Sequence, residues 1–186
     1  MKKFFGYLKY VVRHKWFVML ECWKMGMFWR GIVHDWNKFL PSEFFPYKNH
    51  FGAGIQTGRD KTGYYKPEDT GDPAFDRAWF LHQKRSWHHW QSWCVPREGG
   101  AGVIPQEMPR ACMREMICDW LGAGRAQGTP DVMRWYETNA GKLVLHPKTR
   151  VLVEGWLELR CGRAPVLSKE DQVKVTVAAY REYDKT

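Results

Sequence analysis

Apolar residues near the start of the chain recur at helical spacing. Phe4, Tyr7, Leu8, Val11 and Val12, then Trp16, Met19, Leu20 and Trp23, fall mostly three or four residues apart, the period of an amphipathic helix. The spacing predicts a helix over about 5–25, with His14 inside it. Gly26 and Gly31 weaken the helical pattern beyond Lys24 and predict a bend or short break. A second helix is predicted over Phe28–Phe39, ended by Pro41. Pro41-Ser42-Glu43 can open a short helix through Tyr47, limited by Pro46. Residues 52–73 are Gly-rich and polar, the longest loop of the chain, and read either as a lid or binding loop or as a disordered link. A strong helix is predicted from Pro73 or Ala74 to about Cys94, with proline favourable in its first turn. A Gly/Pro-rich connection over 96–109 leads to a helix from Pro109 to about Leu121. Gly122, Gly124, Gly128 and Pro130 are expected to break the chain. Helices are predicted over 131–138, 147–159 and 168–183; Ser168 can cap the last, whose Val173, Val175 and Val177 also fit a strand. The fold class expected is all-α: a compact helical bundle with a long Gly-rich loop. It is read as one domain over 1–186, with a core at about 5–122 and a helical extension at about 125–186.

Composition narrows the class. A chain of 186 residues is long enough for one domain with a real core and short for two. The 11 Trp are expected mostly in core packing, since indole brings a large apolar face and one polar N–H. A net charge of +9 favours an anionic partner. No zinc finger or aromatic RNA-binding motif occurs, so nucleic acid is left open but not favoured. The five cysteines are odd in number and form no CxxC, which fits a reducing cytoplasm rather than a disulfide framework. The basic, apolar start is interrupted by Arg13, His14 and Lys15, and no small-residue cleavage site comes after it. Glu21, Lys24 and Arg30 make a spanning helix over 16–33 costly. A soluble protein with no membrane partner is the expectation.

The chemistry lies in an ordered set: His14, then His34-Asp35 with Lys38, then His82 and His88-His89, then Asp119. Imidazole nitrogens and carboxylate oxygens together suit a divalent ion, and a helical bundle can converge them on its core. On one helix, His82 and His89 lie two turns apart on one face, with His88 about a third of a turn away. An ion held by such a set lowers the pKa of bound water toward neutrality. Lys38 is either a surface lysine or a holder of an anionic substrate oxygen. Arg85 is either a surface residue or a phosphate contact. Asp119 has a helix-face salt bridge to Arg114 as its alternative, and Glu115, four residues before it, is expected to be solvated. His50 and His146 have no ligand-like neighbours and read as ordinary histidines. The run Trp87-His88-His89-Trp90 can stack a base between indoles, although core packing is the expected role.

The order His, His-Asp, distant Asp, with HDWNK as an HDxxK motif, resembles the HD-domain superfamily of metal-dependent phosphohydrolases. The segments HKWFVMLECWKMGMFWRGIVHDWNKFLPSEFFPY, HHW and EMICDW are also similar to a family of small phage and bacterial proteins. The HD resemblance covers residues 14–119 and implies a bundle of HD-domain type. It implies that His14, His34, Asp35 and Asp119 bind one metal, and that Asp35 bridges to a second completed by His82 and either His88 or His89. The short gap between His82 and His88 departs from bimetal members, which spread these ligands over two helices. His82 and His88 are alternatively substrate-phosphate contacts. The function implied is a phosphohydrolase or phosphodiesterase acting on a nucleotide or cyclic nucleotide, with one or two divalent ions (Mn, Mg, Zn, Ni or Fe). In a phage-encoded chain it would act on host nucleotide signals in the host cytoplasm. Two other readings stand beside it: an HD-type di-iron oxygenase, and a non-catalytic module that sequesters a nucleotide.

Overall fold

In the computed structural model, which describes residues 2–52, 61–63, 70–100 and 102–172, helix α1 covers Lys2–Lys24. Its buried face carries Tyr7, Val11, Val18 and Cys22, with His14 and Glu21 in the same stripe, as residues three and four apart on a helix must. Helix α2 (Phe28–Val33) is followed by a 3-10 turn over Trp36–Phe39. Helix α3 (Pro41–Phe51) runs on through Pro46. The predicted limit at Pro46 gives way because Phe44 and Tyr47 are buried against Phe75 and its neighbours, and that packing holds the turn despite one lost backbone bond. Helix α4 (Pro73–Arg85) starts where the Asp72 carboxylate accepts from the Phe75 N–H at 3.2 Å. A short antiparallel pair comes next, β1 (Cys94–Pro96) with β2 (Val103–Pro105), Val95 opposite Ile104. Then come α5 (Arg110–Gln127), α6 (Val132–Asn139) and α7 (Pro147–Cys161). The described part of the chain is mostly helical, as an all-α bundle.

Three predicted helices differ from the observed ones. The segment expected as one helix over 28–39 divides at His34-Asp35. The helix expected to reach Cys94 stops at Arg85, so His88 and His89 lie in the turns beyond it. The helix expected to end near Leu121 continues to Gln127. Gly122 does not break it. A Cβ at this position would lie 2.5 Å from Val18 Cγ2 and 2.6 Å from the Val18 backbone nitrogen, so only glycine lets α5 approach α1 this closely. Gly128, at φ 79°, ends the helix in the left-handed conformation. Most of the predicted 52–73 loop, and the last predicted helix beyond residue 172, lie outside the described residues. Ser168 does cap a helical turn, accepting from the Asp171 N–H at 3.1 Å.

The buried apolar residues form two clusters that share α1. One gathers Val18 and Cys22 with Met113, Met116 and Ile117 of α5, Met133 and Tyr136 of α6, and Val153 and Leu157 of α7. The stretch read as an extension beyond residue 125 therefore shares the core of α1 and α5. Each fully buried side chain such as Leu157 contributes about 1.5–3 kcal/mol. The other cluster joins Tyr7 and Val11 to Phe44, Tyr47, Phe75 and Ala78. His14 sits one turn from each, at the seam between them. Among the described residues, no helix is long and apolar enough to cross a membrane.

Candidate metal centre

Asp35 adopts φ 54°, ψ 28°, the one positive φ of a non-glycine among the described residues. A left-handed residue cannot continue a helix, so α2 stops short and the chain turns. Aspartate tolerates this conformation better than most residues, at a cost on the order of 1 kcal/mol. Both His34 and Asp35 are thereby buried, at 1% and 4% exposure. Asp35 Oδ2 lies 3.3 Å from His14 Nε2 and 3.3 Å from His34 Nε2. Asp119 Oδ1, from α5, lies 3.2 Å and 3.5 Å from the same two nitrogens. The other oxygen, Asp35 Oδ1, faces His82 Nε2 at 3.6 Å and His88 Nε2 at 3.5 Å. His89 Nε2 is 2.9 Å from His82 Nε2. Two four-residue sets result, His14, His34, Asp35 and Asp119, and Asp35, His82, His88 and His89; within each, the ligand atoms lie within 4.8 Å of one another.

Outer carboxylates fix the rings. Glu115 Oε1 lies 3.0 Å from His34 Nδ1 and 3.4 Å from His88 Nδ1, and Arg30 donates to its other oxygen at 2.6 Å. Glu43 Oε2 lies 3.0 Å from His82 Nδ1, while Arg85 donates to Glu43 Oε1 at 2.7 Å and Asn37 Nδ2 to Oε2 at 3.1 Å. A histidine that donates from Nδ1 to a carboxylate presents its Nε2 lone pair on the other side, the second-sphere arrangement of metal-binding histidines. Burial opposes charge on Asp35, but His34, Lys38 and His82 outweigh it and hold its pKa well below the usual range. Glu115 is held low against burial by His34 and His88, and Asp119 by His14 and His34. Burial lowers His82, and burial together with His88 and His82 lowers His89 further. On His34 the nearby carboxylates overcome burial and raise the pKa.

Four of the candidate ligand atoms are buried with no hydrogen-bond partner among the described residues: His34 Nε2, Asp35 Oδ1, His88 Nε2 and Asp119 Oδ1. Leaving such atoms unsatisfied costs about 1–3 kcal/mol each. Imidazole nitrogens and carboxylate oxygens that face one another are satisfied by a cation between them or by protons on the imidazoles. The buried clusters can hold a metal ion.

All six residues expected as ligands, His14, His34, Asp35, His82, His89 and Asp119, come together. His82 and His89 meet because the chain turns after Arg85, not because they share a helix face, and the same turn brings in His88. Lys38 Nζ lies 2.6 Å from Asp35 Oδ2, beside the centre rather than on open surface. Arg85, considered for phosphate, is committed to Glu43 and to the Ser42 hydroxyl at 3.0 Å. Glu115, expected to be solvated, is 6% exposed and braces two histidines. Glu43 and Asn37 carry no motif in the sequence; a lone acid inside the apolar run Phe39-Leu40-Pro41-Ser42-Glu43-Phe44-Phe45 is the signal that could have found the first. Arg114 stacks its guanidinium over Trp156, 4.7 Å from the ring centre, and is not the partner of Asp119. His50 pairs with Asp72 at 3.2 Å and stacks on Phe75, away from the centre.

A cavity of about 690 Å³ opens beside the centre, and His89 and Asp119 belong to its wall. The rest of its lining includes Trp79, Trp90, Trp120 and Trp135. The family model described as a family of unknown function, DUF5662, matches residues 3–159, and the chain belongs to that family. No curated protein matches the chain, and no solved structure does.

Proposed function

We propose that this member of DUF5662 is a metal-dependent phosphohydrolase of the HD type, acting on a nucleotide or cyclic nucleotide. The observation that carries the reading is the sharing of Asp35 between two ligand sets, each built from Nε2 atoms whose rings are braced from behind where Glu115 and Glu43 reach them. His14, His34, Asp35 and Asp119 would hold one divalent ion, and Asp35, His82, His88 and His89 a second. Divalent ions held there supply Lewis acidity toward phosphoryl oxygens and an acidified water. Lys38, which already neutralises Asp35 Oδ2, supplies a further positive charge where a phosphoryl oxygen gains negative charge. His14 and Asp119 close the side toward α5, and the adjoining cavity accommodates the remainder of the substrate.

The test is metal content and turnover of protein purified without chelator, beside His34→Ala and Asp35→Ala. One or two ions per chain, lost in both variants, together with hydrolysis of members of a nucleotide and cyclic-nucleotide panel, is the expected result. Two irons per chain with O₂ consumption and no hydrolysis would replace this reading with the di-iron oxygenase. No bound ion after addition of Mn²⁺ would leave a module that sequesters its ligand.

A further inference from the structure

The cavity beside the centre is larger than a phosphoryl group needs, and its wall has its own chemistry. Its volume of about 690 Å³ lies in the range of small-molecule sites, about 300–1,000 Å³. His89 and Asp119 form the end shared with the metal centre. Away from that end, Trp120 and Trp135 line the wall with ring centres 5.2 Å apart, and Trp90 joins the lining from the turn after α4. Gln91, the next residue, also lines the cavity; its Oε1 is closed off behind the wall with no hydrogen-bond partner among the described residues, and a rotation of the amide would present it to a ligand. Lys61 and Arg134 bring positive charge to the same lining, but three indoles and an unsatisfied amide oxygen are a poor match for a second phosphate. They suit a flat ring that stacks on indole faces and carries an N–H on its edge. Stacking of a base on an aromatic side chain is worth about 1–3 kcal/mol, and a buried amide oxygen left without a donor favours ligands that supply one.

We propose that this cavity is a nucleobase subsite in which Trp90, Trp120 and Trp135 take the ring system and Gln91 Oε1 accepts a hydrogen bond from an amino group on the base. The proposal rests on the phosphohydrolase reading only for its orientation, with phosphate toward His89 and Asp119 and the base toward α6. It gives α6 a part in recognition, through Trp135, and it separates the tryptophans of the run after Arg85. Trp90 lines the cavity, whereas Trp87 is 63% exposed and packs on Trp93.

The experiment uses nucleosides, which lack phosphate, so that binding is read independently of turnover. Adenosine, cytidine, purine riboside (a purine without an amino group), free ribose and inorganic phosphate are titrated into the full-length protein by calorimetry and by tryptophan fluorescence. Adenosine and cytidine are expected to bind and quench, and adenosine to bind about 3–10-fold more tightly than purine riboside, the effect of one hydrogen bond. Gln91→Leu should abolish that preference while purine riboside binding holds. Trp135→Leu should weaken all nucleosides by about 10-fold or more, and Trp135→Phe, which keeps an aromatic face, should restore most of the loss. Thermal melts and metal content verify that each variant is folded. Binding of phosphate or ribose without binding of nucleosides overturns the subsite and leaves the hydrolase standing. Nucleoside binding indifferent to Gln91→Leu and Trp135→Leu overturns it too. Nucleoside binding that obeys both variants, in a protein that hydrolyses no phosphoester, keeps the subsite and overturns the hydrolase.

Discussion

His14 and Glu21 sit seven residues apart on α1, two turns along the same buried face, and the chain treats the charge at the two places in opposite ways. Glu21, 3% exposed, accepts from Lys24 at 2.8 Å, from Arg125 at 2.7 Å and from Arg160. One carboxylate thus has three cations, drawn from α1, α5 and α7. Two turns earlier the balance reverses: His14 faces the buried Asp35 and the half-buried Asp119, and Lys38 is the cation in contact with Asp35. Around Glu21 the ion pairs close on themselves. Around His14 imidazoles and carboxylates converge, and His34 Nε2, Asp35 Oδ1 and Asp119 Oδ1 are left without a hydrogen-bond partner among the described residues. Buried charge alone therefore does not mark a site. What marks it is buried charge whose partners the protein has not supplied, since a chain under selection for stability alone would pair those atoms or replace them with apolar groups.

The contrast can be broken most directly at Asp35. Asp35→Ala removes an oxygen from both ligand sets, so it should eliminate all bound metal and all hydrolysis, whereas His82→Ala should cost one ion and leave the His14 set loaded; elemental analysis reads both. Lys38→Ala should keep the metal content and lower turnover by about 10²–10³-fold, the scale of losing one preorganised charge-stabilising group, as measured by kcat on the best substrate of the panel. Glu115→Gln keeps the shape but weakens the brace on His34 and His88, and should reduce metal affinity by about 10–100-fold, as read by competition with a chelating dye. Glu21→Gln sharpens the comparison from the other side. It should leave metal content per folded molecule unchanged and cost about 1–2 kcal/mol in urea unfolding at neutral pH, less than a fully buried pair because its cations are partly exposed. Burial opposes charge on Glu21, but Lys24, Arg160 and Arg125 lower its pKa below the usual glutamate value. A carboxylate with a lowered folded-state pKa stabilises above its unfolded pKa and loses that contribution as the pH falls through the folded one. The stability gap between wild type and Glu21→Gln should therefore close as the pH drops below the ordinary glutamate range.

The inner ligands were legible in the sequence because they carry an order: a histidine on the first helix, a His-Asp pair, a histidine group and a late aspartate. Helical periodicity likewise placed α1 and the start of α5. The breaks were not legible. Phe28–Phe39 reads as a helix by spacing, and the left-handed turn at Asp35 arises where the site draws both side chains of the pair inward. The run Ala78–Trp93 keeps apolar residues at helical intervals, yet the chain leaves the helix at Ser86, and the adjacent His88 and His89 both turn back toward His82. Glu43 and Glu115 were hidden for another reason. A single carboxylate that braces an imidazole has no partner at fixed spacing in the sequence; His34 and Glu115 are 81 residues apart. Only the acid's apolar company, Phe44 for one and Met116-Ile117 for the other, hinted at burial.

Gly122 lies three residues beyond Asp119 and packs on Val18, one turn beyond His14. A close approach of α1 and α5 is thus next door to the 3.2 Å meeting of the imidazole and the carboxylate. Metal–ligand bonds tolerate errors of only about 0.2 Å. The gap between two helix backbones, fixed by a missing methyl group, would accordingly set how closely His14 and Asp119 can approach an ion held between them. Ions bound at about 2.0–2.2 Å and ions bound at about 2.3–2.6 Å ask for different gaps. One added carbon at residue 122, which touches no ligand, would push α1 from α5 and with it part His14 from Asp119.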